Sequence, residues 1–185
     1  MTARFLPLVP LMTLVLGSAS AQSPWIAVSG GMEILHQSIR TNTLGTVSDN
    51  HTRPVAAFAL QLRVHPVVRP TLEVRSTLGS GTGFRSAKVG FNVTPLPKTG
   101  AHFGAGLSRT DYWEGGGCVT ATAGSCGGAH HEGRWHFELS AGYDFPLGKG
   151  LTLGPAVWFL QPVQRAQLFE YRFRAIGGGF RLGLR

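Results

Sequence analysis

The stretch Arg134–Ser140, RWHFELS, sets His136, Glu138 and Ser140 two residues apart. In an extended chain that spacing puts all three on one face. A histidine base, a carboxylate and a hydroxyl nucleophile are the parts of acyl transfer. Residues two apart along a strand stand about 7 Å apart at the backbone, so their contact depends on rotamers. Plain alternation of polar and apolar residues accounts for the same three residues without catalysis, and no catalytic residue is assigned. A second group lies in GGGCVTATAGSCGG, where Cys118 and Cys126 are followed by His130 and His131. The cysteines can form a disulfide or join the histidines in a metal site. Zinc sites usually space their cysteines more closely, and an exported chain favours the disulfide, worth roughly 2–3 kcal/mol for so small a loop. No metal and no cofactor is expected. Tyr112 and Trp113, with His130 and His131, are candidates for recognition by an external loop. GSGTG at Gly79–Gly83 is not followed by a helical pattern and reads as a hairpin loop.

These residues must be positioned by strands. Met1–Ala21 has a positive Arg4, an apolar Phe5–Leu16 and a small-x-small Ala19-Ser20-Ala21. That is the pattern of a secretory signal peptide, leaving a single domain over residues 22–185. Its composition argues against a helix bundle: glycine is 26 of 185 residues and costs about 1 kcal/mol per helical position. Charged residues are 14%, against about 25% in soluble domains. The net charge is +8, but the basic residues are scattered arginines with no run, which speaks against nucleic acid as a partner.

The dominant period is two. In Arg134–Phe145, Trp135, Phe137, Leu139, Ala141, Tyr143 and Phe145 oppose His136, Glu138, Ser140, Gly142 and Asp144. Similar alternation marks Trp25–Leu35, Pro54–His65, Thr71–Leu78, Arg85–Val93 and Ala101–Arg109, is blurred over Leu151–Leu160, and returns in Glu170–Leu184. This predicts eight strands. Turns at Pro66–Pro70, Thr94–Gly100 and Pro146–Gly150 alternate with longer connections at His36–Arg53, Gly79–Phe84, Thr110–Gly133 and Gln161–Phe169. Pro155 predicts a bulge or a boundary error in strand seven, since proline cannot donate to a ladder. The parity of Tyr171 and Phe173 differs from that of Ile176, Phe180, Leu182 and Leu184, which predicts a bulge within Gly177–Gly179.

The polar face is mostly Gly, Ser, Ala and Asn with one or two charges per strand. It suits a narrow filled lumen better than a water-facing surface. Trp25, Phe91, Trp135 and Phe145 near strand ends suit interfacial girdles. The predicted fold is therefore all-β, an eight-stranded antiparallel up-and-down transmembrane β-barrel. With the leader, the loop asymmetry and the amphipathic final strand FRLGLR, residues 22–185 resemble the small outer-membrane β-barrel family, the class typified by the OmpX barrel and the OmpA transmembrane domain. The resemblance implies a monomer in outer-membrane lipid, placed there by the barrel-insertion machinery. Inward-facing charges are expected at Glu33, Arg63, Glu73, Arg75, Lys88, Glu138, Asp144 and Arg181, four acids facing four bases in an ion-pair plug. The expected role is structural, or adhesion and recognition of an external ligand or host surface, without an open pore. The alternatives are a soluble exported lipocalin-like barrel for a small apolar ligand, and a barrel enzyme that modifies lipid A acyl chains through His136, Glu138 and Ser140.

Overall fold

A computed structural model describes residues 25–41, 45–79, 81–96, 100–113, 130–163 and 171–184. The leader, Cys118 and Cys126 lie outside the described residues. Every regular element described is a strand: β1 (Trp25–Thr41), β2 (Gly45–Gln61), β3 (Val68–Thr77), β4 (Gly83–Val93), β5 (Ala101–Trp113), β6 (His130–Tyr143), β7 (Phe145–Gly148), β8 (Leu151–Pro162) and β9 (Tyr171–Leu184). They pair antiparallel in the order β6-β5-β4-β3-β2-β1-β9-β8, and β8 pairs back with β6 to close the ring. Partner by partner, Trp25 leads to Gln61, Thr71, Gly90, Gly106, Glu138, Leu160 and Ala175, and so back to Leu35. The path returns ten residues further along β1, so the strands are staggered, with a tilt on the order of 40°.

The short β7 belongs to the same stave as β6. Gly142 faces Ala156 and Phe145 faces Leu153, which is one unbroken register. The ladder lapses at Tyr143 and Asp144, opposite Pro155 and Gly154, and its register shifts once more between Pro146 and Gly148, at the turn. Pro155 has no N–H to give, and Asp144 turns its own N–H to the Gly100 carbonyl at 3.0 Å. The barrel therefore has eight staves. Neither predicted bulge occurs: β9 keeps a continuous register with β1 and with β8 through Gly177–Gly179, and Phe173 points inward on the parity of Ala175 and Arg181. The connection expected over His36–Arg53 is mostly strand, with Leu35 to Thr41 laddered against Gly45 to His51. β1 stays laddered to β9 as far as Ile39, and Gln37 is buried. Alternation is lost there because the outward positions beyond the apolar belt, Ser38, Asn50 and Thr52, are polar as well.

The two faces have opposite chemistry. Outward side chains include Phe180 at 66% exposure, Phe91 at 58% and Val157 at 56%. Leu107, Leu139, Ile176 and Trp135 continue the belt. Inward side chains include Glu33 and Phe84 at 0%. Apolar outside and charged inside is the arrangement of a barrel solvated by hydrocarbon. The girdle expected to include Trp25 does not: Trp25 is buried in the lumen, on the parity of Ala27.

Candidate functional site: the filled lumen

The lumen is packed in three layers. The middle layer is a four-membered ion cluster. Glu73 and Arg75 lie two apart on β3, Lys88 faces Glu73 from β4, and Glu138 reaches across from β6. Arg75 Nη2 donates to Glu73 Oε1 at 2.5 Å and to Glu138 Oε1 at 2.8 Å. Lys88 Nζ donates to Glu73 Oε2 at 2.9 Å and to Glu138 Oε1 at 2.6 Å. Arg75 also lies over the Trp158 ring, 4.8 Å from its centre. Charge-assisted bonds of this kind are strong, and each charge has two opposite partners. Glu33 stands apart. It is fully buried, feels Arg75 electrostatically, faces the Trp158 indole N–H, and makes no ion pair within 4 Å among the described residues.

The layer toward the short turns holds Arg181, His102, Asp144, Arg69 and Trp25. Arg181 Nη1 donates to His102 Nε2 at 2.9 Å. Arginine has no acceptor, so His102 accepts there and carries its proton on Nδ1, which faces Asp144 Oδ2 at 3.6 Å. Arg181 is itself 3.7 Å from Asp144. Two guanidinium groups lie against the Trp25 ring, Arg69 at 4.1 Å and Arg181 at 5.3 Å from its centre. Between this layer and the ion cluster lies a small cavity of about 30 Å³, lined by Gln61, Glu73, Asn92 and His102 among others. That is room for about two waters.

The layer toward the long loops is aromatic. Phe173 packs on Phe84 and Tyr112 with ring centres 5.1 Å apart in each case. His136 meets Phe173 edge-on at 5.5 Å. Trp158, whose ring also faces Arg75, and Leu35, Val55, Leu160 and Ala175 complete the cluster.

Of the eight charged residues expected inside, seven are brought there, and Arg63 is not. β2 ends at Gln61, and Arg63 lies exposed in the turn that follows. Its place is taken by Arg69, which the sequence reading left in the Pro66–Pro70 turn. Arg69, Thr71, Glu73 and Arg75 share one parity, and that signal extends β3 back to Arg69. Tyr112 is likewise not on a loop surface: β5 runs on to Trp113, past a register shift between Thr110 and Tyr112, and Tyr112 is 3% exposed. Trp113 ends β5 with Arg85 stacked 5.7 Å from its ring centre. His130 and His131 begin β6, paired with Trp113 and Tyr112. Among the described residues no group of His, Cys, Asp and Glu could hold a metal ion.

The His136, Glu138 and Ser140 face is split by these layers. His136 Nε2 is 3.2 Å from the Phe173 carbonyl, which can only accept, so this nitrogen carries the proton. Glu138 is held by Arg75 and Lys88. No hydrogen bond joins the three to one another among the described residues.

A closed eight-stave barrel, apolar outside and charged within, defines a transmembrane β-barrel. No family model and no curated protein matches the sequence. Solved structures match in fold. The N-terminal β-barrel domain of Pseudomonas aeruginosa OprF superposes with a TM-score of 0.56 at 9% identity, covering 89% of this chain and 100% of that one. Neisserial surface protein A superposes with a TM-score of 0.51 at 10% identity, covering 88% and 99%. The chain thus has the fold of the small outer-membrane barrels.

Proposed function

We propose that this chain is an integral outer-membrane barrel with a structural or surface-interaction role and a lumen closed to ions and solutes. The observation that carries this is the pairing of an outward apolar belt with inward, mutually neutralised charges. A lipocalin-type barrel would carry its charges outside and an apolar cavity within, the reverse of what Phe180, Leu107, Glu138 and Arg75 do here. Membranes washed with carbonate or urea should retain the protein; release into the soluble fraction would refute the reading. Purified protein in planar bilayers should give no steady large conductance, because ion pairs and aromatic side chains occupy the lumen among the described residues. Such a conductance would mean that the layers part.

Recognition, on this proposal, belongs to the long-loop end, where the β1–β2 hairpin extends and the Cys118–Cys126 segment connects β5 to β6. These two cysteines are proposed to pair. Mass spectrometry of a non-reduced digest should recover their peptides joined, and two free thiols would overturn the assignment.

Glu33 gives a test of the lumen itself. A buried carboxylate left outside the ion-pair cluster destabilises the fold. Glu33→Gln should therefore raise the stability of the barrel by about 1 kcal/mol, read as a higher urea midpoint. A lowered midpoint would show that Glu33 is an indispensable partner of Arg75.

A further inference from the structure

The outer wall is not uniformly apolar. Across β2, β3, β4, β5 and β6 one lateral row reads Phe58, Val74, Ala87, Arg109, Trp135. The row on the short-turn side of it reads Leu60, Leu72, Val89, Leu107, Phe137 and is wholly apolar. On the loop side it reads Ala56, Ser76, Arg85, Asp111. Arg85 and Arg109 thus stand where the apolar belt ends toward the loops. Both are exposed. They are diagonal neighbours across the β4–β5 ladder, with backbones about 7–8 Å apart.

Beside them the wall is hollow. Ala56, Ala87 and Ser76 are small where Phe58 and Val74 are large, and the difference leaves an open groove of about 840 Å³ lined by these residues and by Arg85 and Arg109. The groove begins at the two guanidinium groups and runs down into the apolar belt. Asp111 borders the same end, so positive groups exceed negative ones there by one. The Arg85 guanidinium lies over the Trp113 ring, 5.7 Å from its centre. Arg109 makes no hydrogen bond or ion pair among the described residues. Two forked cations at the head of an apolar channel match one ligand type: a phosphate joined to an acyl chain.

We infer that the outer face of β2–β5 binds one phosphate-bearing lipid, its phosphate on Arg85 and Arg109 and an acyl chain in the groove over Ala56 and Ala87. This rests on the membrane reading above. The test is native mass spectrometry of the full barrel in a neutral detergent, titrated with lipid A, with lipid A stripped of phosphate, and with inorganic phosphate. Wild-type protein should retain lipid A, bind the stripped lipid at least tenfold more weakly, and give no adduct with phosphate alone. Arg85→Gln combined with Arg109→Gln should weaken lipid A binding at least tenfold. Ala87→Leu, which fills the groove and keeps both arginines, should weaken it as well. Arg174→Gln, an outward arginine on β9, should leave it unchanged. Equal binding by the double variant, equal binding of the stripped lipid, an adduct with phosphate alone, or an equal loss in Arg174→Gln would each overturn the site. Carbonate washing separates the two levels: a protein that washes off refutes the membrane reading. One that stays but fails these titrations refutes only the site.

Discussion

Arg75→Ala should cost the barrel about 3–5 kcal/mol, the range for breaking a buried ion pair by removing one partner. Arg75 has 4% of its side chain exposed and holds both Glu73 and Glu138. Glu138, at 1% exposure, has no water to turn to. Without the guanidinium, two carboxylates share Lys88 alone, and Trp158 loses the cation over its ring. The penalty comes mainly from the charge left behind, so a compensating change should recover part of it. Arg75→Met combined with Glu138→Gln leaves Glu73 with Lys88 and should be more stable than Arg75→Met alone. The urea midpoint of the refolded barrel, followed by its heat-dependent shift in gel mobility, measures both. Arg63→Ala, in the exposed turn, should stay within about 0.5 kcal/mol of wild type. An Arg75→Ala barrel as stable as wild type would show that the cluster is solvated and not a packed plug.

How much of this is legible in the sequence depends on what each face meets. Over Arg134–Phe145, lipid on one side and lumen on the other impose a strict period of two, and the middle of the stave is read from it, although the strand begins four residues earlier, at His130. Over His36–Arg53 the same kind of strand is invisible, because beyond the apolar belt the outward residues Ser38, Asn50 and Thr52 are polar like the inward Gln37. The aromatic layer is hidden for a related reason. Phe84, Tyr112, Trp158 and Phe173 face inward near the loops, so apolar character there does not mean outside. The membership of the ion cluster is mostly legible, since parity alone puts Glu73, Arg75, Lys88 and Glu138 on one face. Their partnership is not. Glu138 meets Arg75 only after the ring has closed with its stagger, a relation between strands that no local pattern encodes. Pro155 misleads in the opposite way: its missing donor is read as a bulge or a boundary error, and the closed ring absorbs it as a lapse in the ladder opposite Tyr143.

The Gly177-Gly178-Gly179 run carries the second large effect, and its three positions are not equivalent. Gly179 pairs with Gly31. A Cβ on Gly179 would press into the backbone of Gly30 and Gly31, and a Cβ on Gly31 into that of Gly178 and Gly179. Neither neighbour is a side chain that can swing away, so the strands themselves would have to separate. Gly177 lies against the Trp158 indole, where a Cβ would meet the ring. Gly178 is on the outward parity, and a Cβ there would find only ordinary contacts at 3.5 Å from Val157 Cγ1 and 3.6 Å from the Ala156 carbonyl. Gly179→Ala should therefore destabilise the barrel by about 3 kcal/mol, the upper end of typical overpacking, and Gly179→Val should prevent folding. Gly178→Ala should be neutral or stabilise by about 0.5 kcal/mol, since glycine in a strand gives up more chain entropy on folding than alanine. The comparison is internal to one strand, so insertion and expression affect both variants alike. Equal urea midpoints for Gly178→Ala and Gly179→Ala would show that β1 and β9 do not approach as closely as their register requires.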